Sequence, residues 1–460
     1  MSRAGIGDST RRIAQLAWPV FVGQVAVLAF NTVDTVMVGR HDALDLAALA
    51  IGGSIYTTVF VGLMGIVLAV GPIAGQLYGA RRLEDCGAQL HQAMWLAIVL
   101  AIPGCALLAW PEPFLAVAQA PPAVAGKVRG YLHNLAFALP FALMFTASRG
   151  FNTAVSRPKA VMAVQLVGLA IKVPLNTLFV FGTSLATPLG TLTADAMGTP
   201  GCALATAIVN AAQLATMWAL LRRDPFYAAF GLRGRFAAPR RESLAALLRL
   251  GVPMGASIMV EVTGFTSMAL FISRIGATPV AGHQIALNLV SMMFMMPLAI
   301  ANASSTLVAQ RVGADEPHEA HRIGWHGLEL GVAVSALMGG GVYLLRESIV
   351  GVYTHDAAVA AAALPLLAWV ALFHVADAAQ TIAAFVLRAY RIATVPMLIY
   401  VAAIWGVGLG GGYLLAFDVG GFAPPALHGA QGFWSAATAG LVLAGTGMTA
   451  FLAWFLRQQR

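Results

Sequence analysis

The sequence predicts an all-α polytopic membrane protein of twelve transmembrane helices, arranged as two pseudo-symmetric six-helix lobes. Three observations carry that prediction. Charged residues fill only 10% of the 460 positions and hydrophobic ones 59%, with a mean hydropathy of +0.80, whereas a soluble domain carries about 25% charged residues. Twelve apolar runs are long enough, as helices, to cross a hydrocarbon core of roughly 30 Å. Residues 19–80 align without a gap on residues 253–314, at a constant offset of 234. With six spans in each half, an even number, both halves enter from the same side. The symmetry axis then runs along the membrane normal, with a central cavity between the lobes near the midplane.

The runs lie near 13–39, 47–77, 88–110, 130–152, 160–182, 201–221, 250–273, 280–309, 323–345, 364–387, 394–417 and 430–456. None alternates with period two as a lipid-facing barrel strand does. Arg3, Arg11 and Arg12 lead directly into the first run, which is expected to be retained as a helix and not cleaved as a signal. The repeat is anchored by residues that punctuate the spans: Pro19 with Pro253, Arg40 with Arg274, Gln76 with Gln310, Gly79 with Gly313. Between spans, Pro111, Pro113, Pro121, Pro122, Pro158, Pro200, Gly201, Pro279, Pro424 and Pro425 break the helices. The longest hydrophilic connection, Arg222 to Arg249, holds Pro225, Gly231, Gly234 and Pro239 and divides the spans six and six. Residues 1–223 and 242–460 are therefore the expected lobes, and 224–241 the expected linker.

Orientation follows from the basic residues. With the N-terminus inside, 21 of the 27 Lys and Arg fall on the cytoplasmic side and six on the other, Arg40, Lys127, Arg129, Lys172, Arg274 and Arg346 among the latter. Both termini are then cytoplasmic. A net charge of +8 thus reflects membrane orientation and implies no nucleic-acid partner. Cys86, Cys105 and Cys202 are too few and too scattered for a disulfide framework.

The chemistry lies in charges placed inside spans. Glu261 is the sole charge within LGVPMGASIMVEVTGFTSMALFIS (250–273), and Asp377 lies near the centre of the tenth span. Asp34 lies toward the outer end of the first. A charged residue at the centre of a spanning helix costs about 2.5–3.5 kcal/mol on insertion scales. One such acid is compatible with a protonated, helix-tying role; three together point to an ion site and a cation-accepting cavity. Carboxylate oxygens suit a hard cation such as Na⁺ and equally carry protons, so both coupling ions stay open. Lys172, mid-span in the fifth run, either pairs with one of these acids or snorkels past Pro174. Gln284 and Asn288, at i and i+4, share a helix face and are placed to line the same cavity. The run SMMFMMP (291–297) offers adaptable side chains for varied substrates or for packing.

Other motifs carry no chemistry. GVGLGG (406–411) matches a dinucleotide fingerprint but lies inside an apolar span with no strand before it, so helix packing accounts for it. His318, His321 and His326 fall in DEPHEAHRIGWH, read as a solvated loop. No GxxxxGK[ST], HExxH or Asp-rich metal pair is present. No enzymatic activity and no cofactor are expected.

With these residues placed, the chain resembles the MATE (multidrug and toxic compound extrusion) transporters, the NorM-like branch in particular. The resemblance spans nearly the whole chain. It rests on FNTVDTVMVGR in the first span, VGPIAGQLYGA closing the second, VPLNTLFVFG in the fifth, EVTGF in the seventh and LFHVADAAQTIAAFVLRAYRIATVPM through the tenth. It implies two six-helix lobes in a V and efflux of cationic amphiphilic drugs and dyes in exchange for Na⁺ or H⁺, by a monomer in a bacterial cytoplasmic membrane. It also implies Glu261, Asp377 and Phe265 as the cation site, with Na⁺ as the metal on the two acids. Asp34, Gln284, Asn288 and Lys172 are then substrate-site positions, and Asp356 a position at the outer mouth. Lys172 departs from the neutral polar residue expected there, and Arg388 lacks the usual following Gly. The rival reading is a flippase for lipid-linked or oligosaccharide substrates, for which a strongly cationic cavity is expected.

Overall fold

The computed structural model describes residues 3–458, except 183, 188, 189, 194 and 422. Among the described residues, twelve helices long and apolar enough to span a membrane follow one another. They are α1 Gly7–His41, α2 Ala43–Gly79, α3 Leu83–Ala109, α4 Pro122–Ala154, α5 Pro158–Phe181, α6 Thr199–Arg223, α7 Arg241–Ser273, α8 Ala277–Gly313, α9 Pro317–Tyr353, α10 Ala357–Ala389, α11 Thr394–Ala416 and α12 Ala430–Gln458. In hydrocarbon every backbone polar group must be bonded within the protein, and a helix does this within its own segment. Prolines inside α1, α3, α4, α5, α7, α8 and α10 each remove one such bond, which membrane helices tolerate. Two helices depart from regular geometry: α2 is interrupted at Leu68–Ala69, and α11 is π-helical over Ala402–Gly411.

Many helices outrun the apolar runs that announce them. The clearest case is α9, which starts at Pro317, so DEPHEAHRIGWH is largely helix and not a solvated loop. His321 and His326 are buried within it. Hydropathy registers where lipid begins, while a helix continues as long as its turns pack against neighbours. The other departure is small: β1 Ser184–Thr187 and β2 Gly190–Thr193 form an antiparallel hairpin, with Ser184 opposite Thr193, between α5 and α6. Strands of four residues lie below what periodicity resolves.

The helices pack into two compact units. One runs from Val22 to Gly255; the other joins the residues up to Phe21 with those from Ala256 onward. The unit boundaries thus fall inside α1 and α7, each two residues past the repeat-equivalent Pro19 or Pro253, and the lobes expected at 223 and 242 exchange their leading segments. Ile13 and Ala17 belong to the same core as Ala299, Ile300, Ile382 and Leu452. A helix of 33 residues or more has turns enough to serve two cores.

The expected linker is itself packed on the first unit. Pro225–Phe230 forms a 3₁₀ helix that buries Tyr227 and Phe230. The Tyr227 hydroxyl donates to Asn152 Oδ1 at 2.6 Å, and burial pushes its pKa up to about 12, which keeps the donor proton in place. Farther on, Gln92 Nε2 and Trp95 Nε1 of α3 donate to the Ala238 and Ala237 carbonyls at 2.8 and 3.0 Å. Gly87 makes room for this strap, since a Cβ there would run into the Phe230 carbonyl.

Candidate functional site

In the second unit, Glu261 of α7 and Asp377 of α10 come together, close enough for their charges to act on one another. Asp377 is 5% exposed and accepts from Gln380 Nε2 at 3.1 Å, one turn along the same helix. That amide also bonds Thr381 Oγ1 at 2.9 Å, so its orientation is fixed. Glu261 is half-buried, has Tyr400 of α11 as a hydrogen-bonding neighbour, and lies within the field of Arg388. Arg388, only 8% exposed, stacks over the Phe385 ring with its guanidinium carbon 4.5 Å from the ring centroid. Two carboxylates against one guanidinium leave one negative charge over when both acids are ionised.

The wall beside these acids is aromatic. Phe265, one turn beyond Glu261, meets Phe373 edge-on at 6.0 Å, and Phe373 packs on Trp434 at 5.4 Å. Trp434 Nε1 donates to His283 Nδ1 at 3.2 Å. From the π-helical segment of α11, Trp405 Nε1 reaches the Val260 carbonyl at 3.2 Å. Gly264 allows that approach, because a Cβ there would stand 2.7 Å from Ile404 Cγ2. The GVGLGG run lies in this segment, and its neighbour Gly412 packs closely on Phe433 of α12.

Gln284 and Asn288 are exposed on α8, and Asn288 Oδ1 accepts from the Tyr353 hydroxyl at 2.8 Å. Asp356 caps the N-terminus of α10, its Oδ1 accepting from the Ala358 and Val359 amides at 2.8 and 3.3 Å. Asp34 belongs to the first unit and is paired there with Lys172 at 2.9 Å. That settles the alternative for Lys172: it pairs with an acid and does not snorkel.

Sequence reasoning missed a further buried acid. Asp45, in the first turn of α2, is 0% exposed. It accepts from Lys127 Nζ at 2.9 Å, from the Thr199 amide at 3.0 Å and from the Thr199 hydroxyl at 2.9 Å, and pairs with His41 Nδ1 at 2.8 Å. It thereby ties the α1–α2 turn to α4 and α6, at the helix end where an anion is favoured. Gly198, at φ +60°, brings the chain against this carboxylate. Tyr400 and Arg388 were missed as well: nothing marks a tyrosine in an apolar run, and Arg388 resembles any basic residue at a helix end.

The MatE family model matches the chain twice, over residues 19–178 and 253–414. The chain belongs to the MatE family. The two matches begin 234 residues apart, the offset of the internal repeat, at Pro19 and Pro253. Among curated MatE-type relatives, a probable multidrug resistance protein NorM from Aromatoleum aromaticum is 39% identical over 97% of this chain and 93% of its own length. A probable multidrug resistance protein NorM from Chromobacterium violaceum is 37% identical over 98% and 95%. The fold is likewise that of the Vibrio cholerae MATE transporter VcmN in its bent form, with a TM-score of 0.85 at 17% identity over 99% of both chains.

Proposed function

We propose that this MatE chain is a secondary active multidrug exporter that moves cationic amphiphilic compounds outward in exchange for Na⁺ or H⁺. The observation that carries the reading is the Glu261–Asp377 pair inside the spans of the second unit, opposed among the described residues by Arg388. One uncompensated charge calls for one monovalent cation. Carboxylate and phenol oxygens from Glu261, Asp377 and Tyr400 are hard donors that fit Na⁺, and the carboxylates equally take a proton. Phe265, one turn beyond Glu261, supplies an aromatic ring of the kind that attracts a cation to its face. The names of the NorM relatives support the multidrug part of the reading. Flippase chemistry, which favours a cationic site, finds no support in a pair of carboxylates that shares one neighbouring guanidinium, that of Arg388. We place the protein in the bacterial inner membrane with both termini cytoplasmic, working as a monomer without catalytic activity.

The test is ethidium export from proteoliposomes under separately imposed Na⁺ and proton gradients. Export driven by at least one of the two is the expected result. Transport indifferent to both gradients would remove the antiport reading.

A further inference from the structure

The repeat that shapes the two halves does not carry their charges. At the offset of 234, Asp34 aligns with Met268 and Glu261 with Val27, so each unit has its own acid chemistry. In the first unit that chemistry is closed. The Lys172 side chain is 1% exposed. Its ammonium donates to Asp34 Oδ2 at 2.9 Å and to the Thr206 hydroxyl, and lies over the Phe30 ring at 5.4 Å. The Thr206 hydroxyl donates a hydrogen bond to the Cys202 carbonyl at 3.0 Å, which leaves its lone pairs for the ammonium. The second Asp34 oxygen accepts from Asn176 Nδ2 at 2.8 Å. Both carboxylate oxygens are thus engaged, and the ammonium has two oxygen acceptors and a ring face.

We propose that Lys172 is a tethered counter-cation: it occupies the Asp34 carboxylate in place of a substrate or coupling cation and withdraws that acid from transport. Cation exchange is then confined to Glu261 and Asp377, a deepening that rests on the function proposed above. A mobile cation that takes the place of Lys172 on Asp34 evicts the ammonium. Lys172 would then stand buried and unpaired, at a cost of roughly 10²-fold or more in affinity. The acceptor left over is Asn176 Oδ1, buried and without a donor. It is uncharged, and so recognises an N–H or O–H group without selecting for a cation.

The experiment compares Asp34→Asn, Lys172→Met and the double variant in proteoliposomes, with tetraphenylphosphonium as the exported cation. Asp34→Asn alone loses export at least tenfold, because it strands the buried ammonium. The double variant, in which neither charge remains, recovers to within about threefold of wild type. Recovery supports the proposal whatever Glu261→Gln does in parallel, since that variant tests only the ion-site reading. A double variant that unfolds at the wild-type temperature yet stays inactive overturns the proposal, because the Asp34 carboxylate is then needed for itself. A measurement on the unaltered protein needs no variant to fold: labelling by a hydrophobic carbodiimide, read by peptide mass spectrometry. Asp34 is expected to remain unlabelled across pH and Na⁺ concentration. Labelling of Asp34 that tetraphenylphosphonium prevents would overturn the assignment.

Discussion

Glu261→Gln and Asp377→Asn each reduce gradient-driven export at least tenfold, toward the leak of protein-free vesicles, while the protein reaches the membrane at its normal level. The amide keeps the volume and the hydrogen-bonding shape of the carboxyl group. At position 377 it keeps an oxygen to accept from Gln380. What it removes is the exchangeable charge. Glu261→Gln also leaves Arg388 without the carboxylate whose field it shares, so its loss combines coupling with local strain. Asp377→Asn isolates the coupling part. The scale follows from typical coupling free energies of about 1–3 kcal/mol, or roughly 5–150-fold. Export at the wild-type rate from both variants would leave the pair without a role in the ion cycle.

Asp45→Ala lowers stability by about 1–3 kcal/mol, the size expected when buried donors such as the Thr199 amide and hydroxyl lose their acceptor, while the partly exposed Lys127 and His41 can turn to water. Lys127, His41 and Thr199 all lose their shared acceptor. Asp85→Asn serves as the reference. Its pair with Arg82 has side chains 48% and 64% exposed, and exposed pairs are worth about 0–1 kcal/mol. Thermal unfolding in detergent reads both. Equal midpoints for Asp45→Ala, Asp85→Asn and wild type would mean that the Asp45 cluster ties nothing together. Lys127→Met offers a milder version of the same test, since Asp45 keeps its Thr199 and His41 partners.

The twelve helices and their repeat were legible because both are written in quantities that need no packing information. Hydropathy sums along the chain, and Pro19, Arg40, Gln76 and Gly79 recur at one spacing. Glu261 and Asp377 were legible for a related reason: a carboxylate inside an apolar run is conspicuous whatever surrounds it. What depends on how helices meet was not legible. Lys172 had two possible fates in sequence, and only the register of α5 against α1 brings it to Asp34. Asp45 stands at the start of an apolar run, where a solvated acid is common, and its burial comes from α4 and α6 folding over it. Arg388 was counted toward orientation although it is buried beside the acid pair. The exchange of leading segments at Phe21 and Gly255 is invisible to hydropathy, which takes α1 and α7 as single units.

The central claim is that one ion and one substrate compete through the Glu261–Asp377 pair. Antiport requires that the bound ion disfavour the substrate-bound state, since a ligand shifts an equilibrium only through its differential affinity for two states. By linkage the penalty is reciprocal. The direct measurement is equilibrium binding of a fluorescent organic cation to the purified protein across Na⁺ concentration and pH, at fixed ionic strength so that screening is constant. Added Na⁺ or lowered pH is expected to weaken binding by roughly 5–150-fold, and the effect should vanish in Asp377→Asn. An affinity that ignores both Na⁺ and pH in the unaltered protein would contradict the account.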